Sequence, residues 1–220
     1  MRTIMILGLS VLMTACKKET IEAPVFSEAV YKVTFTGQWQ TPQHAVPPTA
    51  HFTPIIGMVH NATAFMYQPG ALASPGVEAV AEDGNSFPLI REVDSLIALK
   101  KAVSNPIYFV TPINASSTVT IYVNDRYPLF SCMSMLAPTP DWFLGVNAVD
   151  LRRGSGWASD TTVQVYAYDA GTEERDMFNQ DNAPTSPQQP IAPLSPANAS
   201  VLANGNAVIA PIATLRFVRQ

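Results

Sequence analysis

Two short loops hold the residues of this chain best suited to chemistry. Pro138-Thr139-Pro140-Asp141-Trp142 and Tyr168-Asp169-Ala170-Gly171-Thr172-Glu173 each set carboxylates beside a turn-forming or aromatic residue, and each abuts a segment that reads as a β-strand. A hard cation such as Ca²⁺ takes about six to eight oxygens from carboxylates, carbonyls and water, and two loops at one end of a β-sandwich can supply them. Asp169 and Glu173 lie on either side of Gly171, where the chain is free to curl and turn both side chains inward. Without a cation, close carboxylates repel one another and their pKa values rise. Between Asp141 and Asp181 there are eight carboxylates against three arginines, in a chain whose formal net charge is only −4. A run of this kind reads either as a solvated acidic face or as a cation site, and the residues alone leave both open.

Other chemistry has little support. His44, His51 and His60 lack the close pairing of a zinc helix, and no His-Glu-x-x-His occurs. There is no Gly-x-Ser-x-Gly elbow for a nucleophilic serine. Cys132, within Phe130-Ser131-Cys132-Met133, reads as a buried, inert thiol in a strand interior. Trp142 and Trp157 read as core residues beside the loops rather than as ligand platforms.

The elements that must position these loops are short and mostly extended. Hydrophobic residues make up 47% of the 220 and charged residues 14%, which excludes a disordered chain. Lysine and arginine cluster no further than the pairs 17–18, 100–101 and 152–153, so the concentrated basic face that nucleic acid requires is missing. Residues 31–36 alternate apolar and polar, as a half-buried strand does. Segments 106–111, 118–123, 128–135, 143–146, 162–167 and 212–218 add further strands, with Asn124-Asp125-Arg126 as a hairpin turn. Ser74 before Pro75 predicts a helix N-terminus, and residues 94–101 predict one or two more turns. The proline-rich stretch 182–200 reads as a crossover or surface loop. The expected fold class is all-β, an antiparallel β-sandwich with one or two short helices in its loops.

An address precedes the fold. Residues 1–15 combine Arg2 with an apolar run too short to span a bilayer, and Met13-Thr14-Ala15-Cys16 resembles the lipobox of bacterial lipoproteins, in which the cysteine becomes the lipidated N-terminus. An ordinary secretory signal is the alternative. The expected organisation is a signal peptide over 1–15, lipidation at Cys16, a polar tether over 16–28 and one domain over 29–220. The expected location is the bacterial cell envelope, with an exported chain held by lipid at the outer membrane.

Across nearly all of that domain the chain resembles the spondin domain, the N-terminal module of F-spondin and mindin. The matching segments occur in order: Tyr31 to Trp39, Ala50 to Gly57, Ala73 to Val77, Ala81 to Gly84, Pro138 to Trp142, Asp169 to Glu173, and Asn182 to Thr185. The resemblance implies a β-sandwich with a calcium site at one end, formed by Asp141, Asp169 and Glu173. Glu173 departs from the family's aspartate by one methylene. The cysteines that precede the motif tryptophan in animal members are absent before Trp157, so no braced loop is implied there. The implied function is a non-enzymatic, calcium-binding adhesion or interaction module that engages a protein or glycan outside the cell. The alternative is an envelope enzyme, or enzyme subunit, acting on glycans with a structural calcium. That reading needs a catalytic acid pair drawn from residues such as Glu82, Asp83 or Asp150.

Overall fold

The structure, a computed structural model, describes residues 27–174, 176–180 and 183–220, with the backbone alone for 104–108. The expected signal peptide, Cys16 and nearly all of the tether lie outside the described residues. The chain builds β1 (Glu28–Gly37), β2 (His51–Phe52), β3 (Ile55–His60), α1 (Pro75–Asp83), α2 (Ser86–Ala98), β4 (Ala102–Phe109) and β5 (Ser116–Asn124). It continues through β6 (Leu129–Ala137), β7 (Trp142–Asp150), β8 (Arg152–Arg153), β9 (Gly156–Trp157), β10 (Asp160–Asp169), β11 (Ala192–Pro193), α3 (Ser200–Ala203) and β12 (Ala213–Arg219). Eight strands form the main sheet in the order β4-β3-β6-β7-β10-β12-β1-β5, and every neighbouring pair is antiparallel. The sheet curls until β5 comes round to meet β3 and β4, giving a sandwich-like all-β fold. Ser27 and Glu28 already belong to it: the Ser27 amide donates to Asp125, and Glu28 pairs with Asn124.

Two apolar clusters explain which strands alternate. Tyr31, Val33 and Phe35 of β1 point into the curl, where they meet Trp39, Phe130, Trp142, Leu215 and Phe217. Lys32 and Thr34 face outward, so β1 carries the period of two that one-sided burial imposes. β3 and β6 are buried on both faces. Their second face packs against α1 and α2 through Ile56, Met58 and Met133, which meet Val77, Val80, Leu89 and Val93.

Among the described residues there are three helices, where one or two were expected. α1 begins as predicted, with the Ser74 hydroxyl accepting from the Val77 amide and Pro75 in its first turn. α2 begins at Ser86 rather than near residue 94, because the Asn85 side chain caps it by accepting from the Phe87 amide. Lys100 and Lys101 fall beyond its C-terminal end at Ala98, and Lys100 takes a left-handed conformation with φ 57°. α3 spans only four residues, directly after the proline-rich segment.

Candidate functional site

The two acidic loops meet because of the register between β7 and β10. Trp142 pairs with Asp169, which sets Asp141, one residue earlier, beside the end of the neighbouring strand. The Ala170 amide then donates to the Asp141 carbonyl at 3.2 Å. Before β7, the Thr139 hydroxyl accepts from the Trp142 amide at 3.2 Å and tightens the turn that delivers Asp141. After β10, the chain bends at Gly171 with φ +74°. A β-carbon there would lie 2.2 Å from the Gln189 carbonyl oxygen, so the position admits only glycine without rearrangement. Gln189, Thr185 and Ala183 bond back to this loop through Gly171, Thr172 and Glu174.

Asp141 is fully buried. Its Oδ2 accepts from the Thr172 amide (2.8 Å), the Glu173 amide (3.0 Å) and the Thr172 hydroxyl (3.2 Å). Its Oδ1 is buried with no hydrogen-bond donor. The Asp169 carboxylate faces the Asp141 charge, and its Oδ1 accepts from the Gly171 amide at 2.7 Å. Burial and the facing Asp141 charge push the Asp169 carboxyl up to about 6. Burial also raises Asp141, against the pull of the loop amides and the Thr172 hydroxyl.

Glu173 sits on the same loop, almost wholly buried, but its carboxylate feels Glu82 more than any other charge, then Asp141 and Asp83. Burial and these neighbours push it up to about 7. Glu82, at the end of α1, is raised by burial and by Glu78, Asp141 and Asp83, although the nearby Thr172 hydroxyl opposes the shift. The structure therefore brings Asp141 and Asp169 together across the strand pair and sets Glu173 within reach of the charges of Glu82 and Asp141. Among the described residues, no group of three or more His, Cys, Asp or Glu side chains stands arranged to hold a metal. A cleft of about 430 Å³ opens over this region, lined by Asp169, Glu173, Glu174, Asp176 and Gln189.

The residues fit a cation in one specific respect. A buried carboxylate oxygen without a donor, held against a second carboxylate, is a costly arrangement that a positive charge between them relieves. Asp150 lies at the opposite end of the sandwich, where it accepts from the Arg152 amide at 2.8 Å. Asp176 is exposed and accepts from the Ser200 and Val201 amides at the start of α3. Glu82 and Asp83 do join the acidic region, from the end of α1, far away in sequence.

The profile of the Spondin_N family matches residues 29–204. The chain belongs to the spondin N-terminal domain family. It is 30% identical to Spondin-2 of Rattus norvegicus over 207 residues, covering 87% of this chain and 62% of that protein. Spondin-2 of Homo sapiens is likewise 30% identical over 87% of this chain and 61% of its own length. Spondin-1 of Gallus gallus is 30% identical over 81% of this chain but only 23% of itself. The chain thus spans less than two thirds of these relatives.

The remaining motif residues of this spondin domain are structural. Trp39 and Trp142 are buried and both pack on Phe178, and the Trp39 indole donates to the Ala45 carbonyl. Trp157 is buried, donates to Ser27 and lies under the Arg152 guanidinium. His60 is buried against Ser131, whereas His51 is exposed and satisfied by the Thr49 carbonyl. Cys132 is fully buried, and burial pushes its thiol up to about 12. Among the described residues no helix is long and apolar enough to cross a membrane.

Proposed function

We propose that this spondin domain is exported, lipid-anchored at Cys16 to the bacterial envelope, and binds a calcium ion at its acidic end. In this reading it is a non-enzymatic adhesion or interaction module whose ligand is a protein or glycan outside the cell. Asp141 and Asp169 would hold the ion, and Glu173 would turn from Glu82 to join them, a reach its extra methylene favours. Calcium would supply charge neutralisation there, fixing the loops that present the cleft to a partner. The observation that carries the reading is the donorless, buried Oδ1 of Asp141 against Asp169. Affinity of the weak extracellular class is expected, roughly 10⁻⁴–10⁻³ M.

The test is thermal unfolding with Ca²⁺ and with chelator. A ligand at about a hundred times its Kd adds about 2.7 kcal/mol of stability. Wild type should gain it, and Asp141→Asn/Asp169→Asn should not. Absence of a calcium-dependent shift in wild type sinks the metal site. Fatty-acid labelling of wild type against Cys16→Ser tests the anchor. Hydrolysis of a glycan by the purified chain, lost in Glu82→Gln, would replace the module by the enzyme.

A further inference from the structure

The end of the sandwich opposite the acidic loops carries the mirror charge. The hydrogen bonds and strand register there bring six cations to one rim. Lys100 and Lys101 sit where β4 begins, tied in by the Tyr127 hydroxyl on the Lys100 carbonyl and by the Asn61 amide on the Lys101 carbonyl. Arg126 occupies the β5–β6 turn. Arg152 and Arg153 form the β8 arm of a hairpin next to it, joined by the Arg152–Asp125 ion pair at 2.5 Å. Arg219 ends β12, its amide bonded to the Ser159 carbonyl. Lys100, Arg126, Arg153 and Arg219 are exposed. The carboxylates of this rim are Glu28, Asp125, Asp150 and Asp160, with Asp94 one turn back in α2. Asp125 is paired with Arg152 and Asp160 with Arg216. The rim is therefore net positive in a chain of net charge −4.

The chain also enters the fold at this end. Ser27 receives the Trp157 indole proton and bonds Asp125 in both directions, so residues 1–26, with Lys17 and Lys18, connect to the sandwich in the middle of the basic rim.

We infer that this rim is a membrane-facing surface: Lys100, Arg126, Arg153 and Arg219 meet the headgroups of an anionic phospholipid bilayer, so that the acidic loops point away from it. Charge complementarity and the exit of the N-terminal segment at this end favour a lipid surface as the occupant. Each lysine or arginine near an anionic bilayer adds attraction that falls off within a Debye length. With lipid on Cys16, the stretch from there to Ser27 is short enough to hold the domain where that attraction acts. The inference takes its biological setting from the anchored reading, but its physical content does not require a lipidated Cys16.

The experiment is co-sedimentation of the purified full-length chain, in chelator, with vesicles of phosphatidylcholine and of phosphatidylcholine containing about 30% phosphatidylglycerol. The apolar leader contributes to both vesicles, so the ratio of the two partition coefficients reports charge, and chelator removes bridging through the acidic end. Wild type should favour the anionic vesicles by roughly tenfold or more at about 50 mM salt, and lose most of that at about 0.5 M. Lys100→Gln/Arg126→Gln/Arg153→Gln/Arg219→Gln should cut the ratio at least about fivefold. The milder Lys100→Gln/Lys101→Gln should cut it partway, with an unchanged melting temperature certifying its fold. Arg91→Gln, a cation away from the rim, should leave it alone. An unchanged ratio in both rim variants, which assigns the preference to the tail lysines, overturns the inference. So does binding to an anionic polysaccharide with no vesicle preference. Failure of fatty-acid labelling would remove the anchor while leaving this result standing.

Discussion

The two ends of the sandwich spend charge in opposite ways. At the acidic end Asp141 and Glu173 are buried and Asp169 is half-buried, and burial, reinforced by neighbouring carboxylates, raises Asp169 to about 6 and Glu173 to about 7. At the basic end Lys100, Arg126, Arg153 and Arg219 stand in solvent. Desolvated like charges alter stability and respond to protons and cations. Solvated charges leave stability almost unchanged and act through a field that reaches outward. One end thus keeps its charge out of water, and the other extends it into solvent.

The contrast breaks first at Asp141. Asp141→Ala strands the Thr172 and Glu173 amides, and denaturant unfolding in chelator should show a loss of about 3 kcal/mol. Asp141→Asn keeps an acceptor for those amides and removes the charge, so it should cost far less in chelator while losing the calcium response. Equal losses in the two variants would mean that the loop is held by packing rather than by these bonds. Next is Gly171→Ala, where a left-handed backbone and a 2.2 Å approach to Gln189 should cost about 2 kcal/mol.

The pH dependence comes third. Glu173 is raised from 4.5 to about 7 and Asp169 from 3.8 to about 6. In that window the folded state holds protons the unfolded state has released, so stability falls as pH rises. The stabilisation is complete below the unfolded values and gone above the folded ones. In chelator the melting temperature of wild type should therefore drop, relative to Glu173→Gln, between pH 4.5 and about 7. A parallel pair of curves would mean that Glu173 titrates alike in the folded and unfolded states. Smallest of all is Arg126→Gln at the other end, which should move stability by less than about 0.5 kcal/mol.

Much of this was legible in the residues, and the gaps have physical causes. Strands β1, β5 and β10 alternate because one face meets solvent, and alternation is what a sequence displays. β3, Ile55 to His60, has no alternation because the helices cover its second face, so it is absent from the predicted strands. α2 was placed too late because its signal is an asparagine cap at residue 85, ahead of a proline at 88 that looks like a breaker but is tolerated in a first turn. Asp141 and Asp169 stood out by motif. That they come together is decided by cross-strand register, and that Glu173 lies within reach of the Glu82 charge is decided by where α1 ends. No local pattern records either.

The position of β12 has a mechanical consequence. The last strand of the chain lies between β1 and β10 in the middle of the sheet, so β1 is flanked by antiparallel partners on both sides, seven register pairs to β12 and nine to β5. Tension applied between Ser27 and the acidic loops runs along β1. It loads those rows of hydrogen bonds in shear, all together, where a strand peeled from an edge would give them up one at a time.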